Sequence, residues 1–238
     1  MKTLHLYYDI MNLYGDYANI TALRKIAEHS GEEVAVDKLS IGDDADLSAY
    51  DFIYIGSGTE KNQKVVLDDL RRYKDALTAC IDSGKVILMT GNSFEMLGQS
   101  ITDAYGEAYE GLGLFGFTTA EQNKTRLTND AVYDCSFLDS PLVGFVNKCS
   151  GITGIDEPMF TVRLGLGNRD GDTGEGMRKN NLFCTHLTGP VLVKNPHLLR
   201  YICSLITGRD ADDGCMVYEK KGYAVTLREL NKRIEDNK

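Results

Sequence analysis

The residues that could do chemistry in this chain follow three short apolar segments. The first is KVILMTGNSFEMLG (85–98), in which an apolar strand turns at small residues into a helix-like run. A nucleophile elbow is built this way, with cysteine or serine at the corner and the next N–H group facing the oxyanion. Here the corner holds Gly91. Ser93 could act as nucleophile only if the strand continued through Gly91 and Asn92, which we do not expect.

The second segment is IGSGTEKNQ (55–63), a glycine-rich turn between a strand and a helix. Glycines at such a turn let backbone N–H groups approach an anion or a developing oxyanion. They equally suit a tight turn that needs a positive φ. This stretch alone leaves both interpretations open.

The third segment is CTHLTGPVLVKNP (184–196), a strand that ends in a Gly-Pro turn. Cys184 and His186 are two residues apart, so they share a strand face at roughly 6–7 Å, too far for a direct hydrogen bond. A metal site or a catalytic dyad stays an alternative. A half-buried cysteine and a hydrogen-bonded histidine are the commoner arrangement.

Alternating strands and helices position these turns. The strands around residues 3–9, 32–40, 51–58 and 85–90 are nearly continuously apolar, and amphipathic helical patterns separate them. This order predicts an α/β protein, a mostly parallel, flavodoxin-like sheet with helices on both faces. Ligands of such sheets bind beyond the carboxyl ends of the strands. Function is therefore expected in the turns after Ile55, Thr90 and Leu187.

After residue 105 the pattern changes to strands interrupted by glycine, which we expect to add antiparallel strands to the edge of the sheet. A helix, NPHLLRYICSLITG, should pack back onto it. The Gly- and Asp-rich stretch 165–180 is expected to be an exposed loop. The tail, about 222–238, is expected to be a partly frayed helix. With no linker in view, residues 1–238 are predicted to form one domain.

Composition narrows the functional classes. The chain has 238 residues, a net charge of -9 and a pI near 5.0. That charge disfavours a nucleic-acid surface, which needs clustered Lys and Arg. The six cysteines include no CxxC pair, so we expect reduced thiols and neither disulfides nor a metal centre. No signal peptide or membrane span is evident, and we predict a cytoplasmic protein without a cofactor.

In this order, the three segments, NLYGDYANI (12–20) and TRLTND (125–130) resemble class I glutamine amidotransferases of the cobyric acid synthase type. More narrowly, they resemble the glutaminase subunit of lipid II isoglutaminyl synthase, a bacterial peptidoglycan enzyme. The resemblance spans about residues 12–196. It implies glutamine hydrolysis by a cysteine thiolate and a histidine, with the ammonia passed to a Mur-ligase-like partner.

The resemblance also assigns positions. The family's catalytic cysteine corresponds to Gly91 and its catalytic histidine to Thr188, so both catalytic side chains are replaced. The elbow's glutamine corresponds to Glu95, and a further family histidine to Lys148. The oxyanion loop and the glutamine site are expected at Gly56, Ser57, Gly58, Asn92 and Arg126, of which Arg126 suits a bidentate contact to a carboxylate.

Three functions remain open at this point. The favoured one is a subunit that has lost glutamine hydrolysis and serves as the binding or regulatory partner of an amide-forming enzyme. Its pocket could still bind glutamine or another amino acid. The second is an active hydrolase that uses displaced groups, namely Ser93, His186 or Cys184. The third is a stand-alone small-molecule binder. A partner subunit predicts exposed apolar side chains at the strand ends. A binder predicts a well-formed pocket near Arg126.

Overall fold

A six-stranded sheet forms the centre of the protein, whose computed structural model describes residues 1–121 and 126–236. Its spatial order is β13-β14-β4-β3-β1-β2, and neighbours from β14 to β2 run parallel, whereas β13 is antiparallel to β14. The predicted mostly parallel α/β sheet with an antiparallel edge is thereby confirmed. The strands are β1 (Lys2–Leu6), β2 (Ala35–Leu39), β3 (Phe52–Ile55), β4 (Val86–Thr90), β13 (Met177–Lys179) and β14 (Leu182–Thr185).

The remaining strands form two further sheets instead of extending the central one. One has the order β12-β11-β8-β9-β15 with antiparallel neighbours, and the other has the order β10-β7-β5-β6. The strands are β5 (Ser100–Thr102), β6 (Ala108–Glu110), β7 (Thr118–Glu121), β8 (Leu127–Asp134), β9 (Leu142–Lys148), β10 (Ser150–Thr153), β11 (Phe160–Leu164), β12 (Gly174–Glu175) and β15 (Leu187–Thr188).

Helices cover both faces of the central sheet. They are α1 (Tyr17–His29), α2 (Glu60–Leu70), α3 (Lys74–Asp82), α4 (Val191–Lys194), α5 (Pro196–Thr207) and α6 (Val217–Asp236). Apolar residues of α2 and α3 pack with one set of alternating strand side chains, whereas those of α1, α4 and α5 pack with the other set. Because successive strand residues point to opposite faces, the apolar strands build two cores.

The stretch 165–180 was wrongly predicted to be an exposed loop. It contains β12 and β13, and Asn168, Glu175 and Met177 are buried. Its glycines serve tight connections between short strands. At Gly167, for example, a Cβ would lie 2.3 Å from the carbonyl oxygen of Asp172. A composition typical of loops therefore belongs to a packed segment.

The tail is more ordered than expected. Helix α6 runs without a break from Val217 to Asp236, and Leu230 packs against Val132 and Val143 of the five-stranded sheet. Residues 237 and 238 of the predicted tail lie outside the described residues. Among the helices of the described ranges, none has the length and apolar character needed to cross a membrane.

Candidate functional site

A small cavity lies at the carboxyl ends of the central strands, as the fold predicts. Ser57 and Gly58 line it after β3, Gly91 and Asn92 after β4, and Thr188 from β15. The two positions assigned to the catalytic cysteine and histidine thus face one cavity. Its volume is about 20 Å³, which is room for about one or two water molecules. Tyr14, Glu60, Glu95, Glu121, Arg126, Asn147, Lys148, Cys149 and Ser150 complete the lining.

The elbow after β4 keeps its backbone geometry. The strand ends at Thr90, Gly91 has a φ of +62°, and a 3-10 helix runs over Gly91–Leu97. A positive φ at the corner is the strained conformation that a nucleophile elbow imposes. Ser93 is already inside the helical turn, where its hydroxyl donates to the carbonyls of Thr90 (2.8 Å) and Ile55 (3.1 Å).

The turn after β3 has its donors engaged. The N–H of Ser57 donates to Asp16 Oδ2 at 2.7 Å, and the N–H of Gly58 donates to Asn92 Oδ1 at 3.0 Å. Gly56 is needed for packing, since a Cβ there would lie 2.4 Å from the Met11 carbonyl oxygen. Two of the N–H groups expected to hold an oxyanion, those of Ser57 and Gly58, are therefore hydrogen-bonded within the protein.

Asp16 is the buried anchor of this turn, and sequence reasoning did not assign it a role. Its Oδ2 also accepts from the hydroxyls of Ser57 at 2.7 Å and Thr90 at 3.2 Å. Burial raises the pKa of Asp16, although the hydrogen bonds from Ser57 and Thr90 favour its ionised form. The segment NLYGD, which carries Asp16, was the available signal.

Arg126 is bound to protein groups instead of facing a free site. Its Nη1 lies 2.5 Å from Glu60 Oε1, its Nε donates to Asn147 Oδ1 at 2.6 Å, and its Nη2 donates to the Asn147 carbonyl at 3.0 Å. Burial alone would raise the pKa of Glu60, but the hydrogen bond and charge of Arg126 hold it below its usual value. The guanidinium that was expected to bind a carboxylate ligand already binds one from α2.

Behind the cavity, His186 lies between two carboxylates. Its Nε2 is 3.0 Å from Glu95 Oε1 and its Nδ1 is 3.3 Å from Glu175 Oε1, with all three side chains at most 2% exposed. Glu95 also accepts from Ser150 Oγ and from Gln63 Nε2, the latter at 2.8 Å. Nε2 is thus within hydrogen-bond distance of Glu95, whereas Nδ1 has no hydrogen-bond partner among the described residues.

Lys148 and the cysteines do not supply a reactive group to the cavity. Lys148 Nζ donates to the carbonyls of Gly167 at 2.5 Å and Asn168 at 2.8 Å. Burial lowers the pKa of Lys148, opposed by the charges of Glu175 and Glu95. Burial also raises the pKa of Cys184 well above its usual value and, with the charge of Glu60, that of Cys149 to about 12. Within the described ranges, His, Cys, Asp and Glu form no group that could hold a metal ion.

Similarity to known proteins agrees with this architecture. Residues 2–196 match the family model of the CobB/CobQ-like glutamine amidotransferase domain. Two GatD subunits of glutamine-hydrolysing lipid II isoglutaminyl synthase are similar. That of Streptococcus pneumoniae is 35% identical over 83% of this chain and 77% of the relative. That of Staphylococcus aureus is 31% identical over 97% and 90%. The crystal structure of a glutamine amidotransferase shares the fold, with a TM-score of 0.57, 15% identity and coverage of 86% and 98%.

Proposed function

Because the chain belongs to the CobB/CobQ-like glutamine amidotransferase family and is GatD-like within it, we propose that it is a glutaminase-type subunit without glutaminase activity. In this proposal it assembles with a Mur-ligase-like enzyme that forms an amide during peptidoglycan synthesis. The subunit contributes its fold and surface to the complex. Ammonia for the amide then comes from another source.

The observation that carries this proposal is that Gly91 and Thr188 face the same cavity. Hydrolysis of glutamine by this family needs a thiolate to attack the side-chain amide and a histidine to move the proton. Glycine offers no nucleophile, and the Thr188 hydroxyl donates to the Phe145 carbonyl at 3.1 Å. When a nucleophile and its base are both lost, the only rate acceleration that remains is what substrate binding and the oxyanion site supply.

The state of the oxyanion site supports the same conclusion. Two of its expected donors, the N–H groups of Ser57 and Gly58, are bound to Asp16 and Asn92. Breaking such buried hydrogen bonds to receive a ligand costs about 1–3 kcal/mol for each group left unsatisfied. A cavity of about 20 Å³ also gives no room for an amino acid without rearrangement. A resident glutamine ligand is therefore disfavoured along with its hydrolysis.

The alternative of an active enzyme with displaced groups finds little support. The Ser93 hydroxyl is hydrogen-bonded to the backbone carbonyls of Ile55 and Thr90. Cys184 is buried, and burial raises its pKa. His186 lies between the carboxylates of Glu95 and Glu175. None of the three lines the cavity. A nucleophile must approach its substrate within about 3–3.5 Å, which these positions do not offer.

Exposed apolar side chains favour a partner subunit over a stand-alone binder. Tyr14 and Tyr17 follow the carboxyl end of β1, and Ile41 follows that of β2, and all three are exposed. Tyr14 also lines the mouth of the cavity. These side chains follow the carboxyl ends of β1 and β2, the end of the sheet at which the cavity lies. The cavity beside Arg126 is small, about 20 Å³, and the guanidinium that a small-molecule binder would offer to a ligand is paired with Glu60.

The direct test is release of ammonia from glutamine by the purified protein, alone and with its co-expressed partner. We expect no turnover above the rate of a buffer blank, while a glutamine-hydrolysing relative assayed in parallel supplies the positive control. Turnover by this chain that rises with enzyme concentration would overturn the loss of activity.

The partner is tested separately by co-expression with the Mur-ligase-like protein encoded nearest to this chain. We expect one stoichiometric complex in size-exclusion chromatography. Tyr14→Asp and Tyr17→Asp should weaken it, while Tyr218→Asp, an exposed tyrosine on α6, serves as the matched control. Two separate peaks would refute the assembly while leaving the lost activity to its own assay.

A further inference from the structure

The place where a side chain at Gly91 would begin is already filled. A Cβ built on Gly91 would lie 2.3 Å from the Cβ of Ser57, 3.2 Å from its Oγ and 3.3 Å from its Cα. Carbon atoms in contact normally stand about 3.5–4.0 Å apart. The first atom of any side chain at position 91 therefore overlaps Ser57.

Ser57 is not free to move away. Its N–H and its hydroxyl both bind Asp16 Oδ2 at 2.7 Å, and the residue is 3% exposed. The glycines on either side are also confined. A Cβ on Gly58 would lie 2.3 Å from the sulfur of Met11, a residue that is itself fully buried. The turn after β3 is thus held between the segment 10–16 and the elbow, so retreat would break buried contacts.

We propose that Ser57 occupies the volume in which the nucleophile's side chain starts in active relatives, so that positions 57 and 91 form a sterically coupled pair. A side chain at 91 requires glycine at 57, and the serine at 57 requires glycine at 91. The assignment of position 91 to the family's nucleophile rests on the proposed function. The steric coupling rests on the contacts alone.

The coupling changes what restoring the enzyme would require. Gly91→Cys with Thr188→His returns the two reactive side chains but leaves Ser57 against the new Cβ. The new cysteine could then be accommodated only if the elbow moved. Misplacing a nucleophile by about 1 Å is enough to lose most of the catalytic rate. Ser57→Gly is the third change needed, although Ser57 itself performs no chemistry. It is a residue that excludes the nucleophile.

A double-mutant cycle on stability tests the coupling without any assay of function. The variants are Gly91→Ala, Ser57→Gly and the two combined, and the measurement is the thermal midpoint by circular dichroism. Gly91→Ala alone should lower the midpoint by about 5–10 °C, because it adds an overlap and a positive φ to a tight site. In the Ser57→Gly background the same change should cost only about 2–4 °C, which is the penalty of the positive φ.

Gly208→Ala provides the matched control for backbone strain. Gly208 has a φ of +68°, close to that of Gly91, and a Cβ there meets nothing within 4 Å. Its midpoint should fall by about 2–4 °C and should not respond to Ser57→Gly. The difference between the two alanine variants then reports the overlap alone.

The outcomes separate clearly. A smaller cost of Gly91→Ala in the Ser57→Gly background supports the coupling, and so does recovered folding if the single variant is insoluble. Equal costs in both backgrounds, or insolubility that Ser57→Gly does not rescue, would overturn it. The stability cycle involves no glutamine assay. If the stability effects of the two substitutions are additive, the coupling is refuted but the proposed loss of activity is untouched. If ammonia is released from glutamine, the proposed loss of activity is refuted but the coupling is untouched.

Discussion

At the scale of single residues, Glu95 shows how the wall of the cavity is stabilised. Its carboxylate accepts from Gln63 of α2 and Ser150 of β10, and it faces His186 at the end of β14. The resemblance places a glutamine at this position, which would carry no charge. A buried carboxylate is tolerated when hydrogen bonds satisfy its oxygens, and these three partners lie within hydrogen-bond distance of Glu95. Glu95 and its neighbours thus form a buried hydrogen-bonded cluster.

This cluster makes His186 a stability residue. His186→Gln should lower the free energy of unfolding by about 1–3 kcal/mol, because it disturbs the buried contact with Glu95 Oε1 and the packing of the ring against Phe94. Urea denaturation at pH 7 measures the change. His29→Gln, which breaks an exposed pair with Asp212, is the control and should cost less than about 1 kcal/mol. A His186→Gln cost as small as that of the control would contradict a stabilising role for the hydrogen-bonded cluster.

His5 gives the protein a pH dependence of a defined sign. Burial, with the charge of Lys38, lowers its pKa from 6.5 to about 4. Between these values the unfolded chain binds a proton that the folded protein does not. The free energy of unfolding should therefore fall as the pH falls from 6.5 to 4, by up to about 3 kcal/mol, and this contribution is fully present only above pH 6.5.

The measurement is urea denaturation of the protein and of His5→Leu at several values between pH 4 and pH 7.5. The variant removes this titration, so the difference in stability between the two proteins should change steadily over that range and level off above pH 7. Carboxylates titrate in both proteins and cancel in the difference. Stability curves that stay parallel over the whole range would show that His5 is not held neutral.

At the scale of elements, Lys148 at the end of β9 fastens the segment between β11 and β12. Its ammonium donates to the carbonyls of Gly167 and Asn168, and Asn168 in turn holds Gly176 through its side chain. One long side chain thereby orders a Gly- and Asp-rich stretch that would otherwise favour a loop. The resemblance places a histidine here, a shorter side chain.

Lys148→Met should loosen this segment. The variant keeps the apolar stem but removes two hydrogen bonds from a charged donor, each worth about 1.5–3 kcal/mol. Hydrogen exchange followed by mass spectrometry should show faster exchange in peptides covering 165–176 and little change in β3 or β4. Lys220→Met, which breaks an exposed pair with Asp213, is the control. Faster exchange spread evenly over the chain would argue against a local fastening role.

At the scale of the whole molecule, α6 joins parts that are distant in sequence. It contacts α4 and α5 beside the central sheet and also β8, β9 and β11 of the five-stranded sheet. Lys25 of α1 reaches it through an ion pair with Glu219 at 2.8 Å. The helix thus belongs to the folded body.

Two substitutions on α6 distinguish a packed helix from a frayed one. Leu230 is 4% exposed and Val225 is 50% exposed. Leu230→Ala should lower the free energy of unfolding by about 2–3 kcal/mol, because it leaves a cavity against Val132 and Val143. Val225→Ala should change it by less than about 0.5 kcal/mol. Equal and small costs in urea denaturation would indicate that the helix end is frayed in solution.

The sequence allowed the central sheet and the position of the cavity to be predicted, because both depend on short local patterns. Gly91 and Thr188 each sit within a motif of six to eight residues. The contacts that fill the site could not be predicted in this way. His186 and Glu95 are 91 residues apart in the chain, and the partners of Arg126 come from two separate elements. Such pairings depend on which distant segments the fold brings together, and composition and periodicity do not predict this.

The overlap between Ser57 and a side chain at position 91 also constrains the history of the protein. A form with cysteine at 91 and serine at 57 is sterically disfavoured, so the passable route leads through glycine at both positions. Under the proposed function, the cysteine at 91 is replaced while position 57 is still glycine, and serine enters afterwards. A return to a side chain at 91 must then begin with Ser57→Gly, because Gly91→Cys alone meets the Cβ of Ser57. The serine thus fixes the order in which the two substitutions can be reversed.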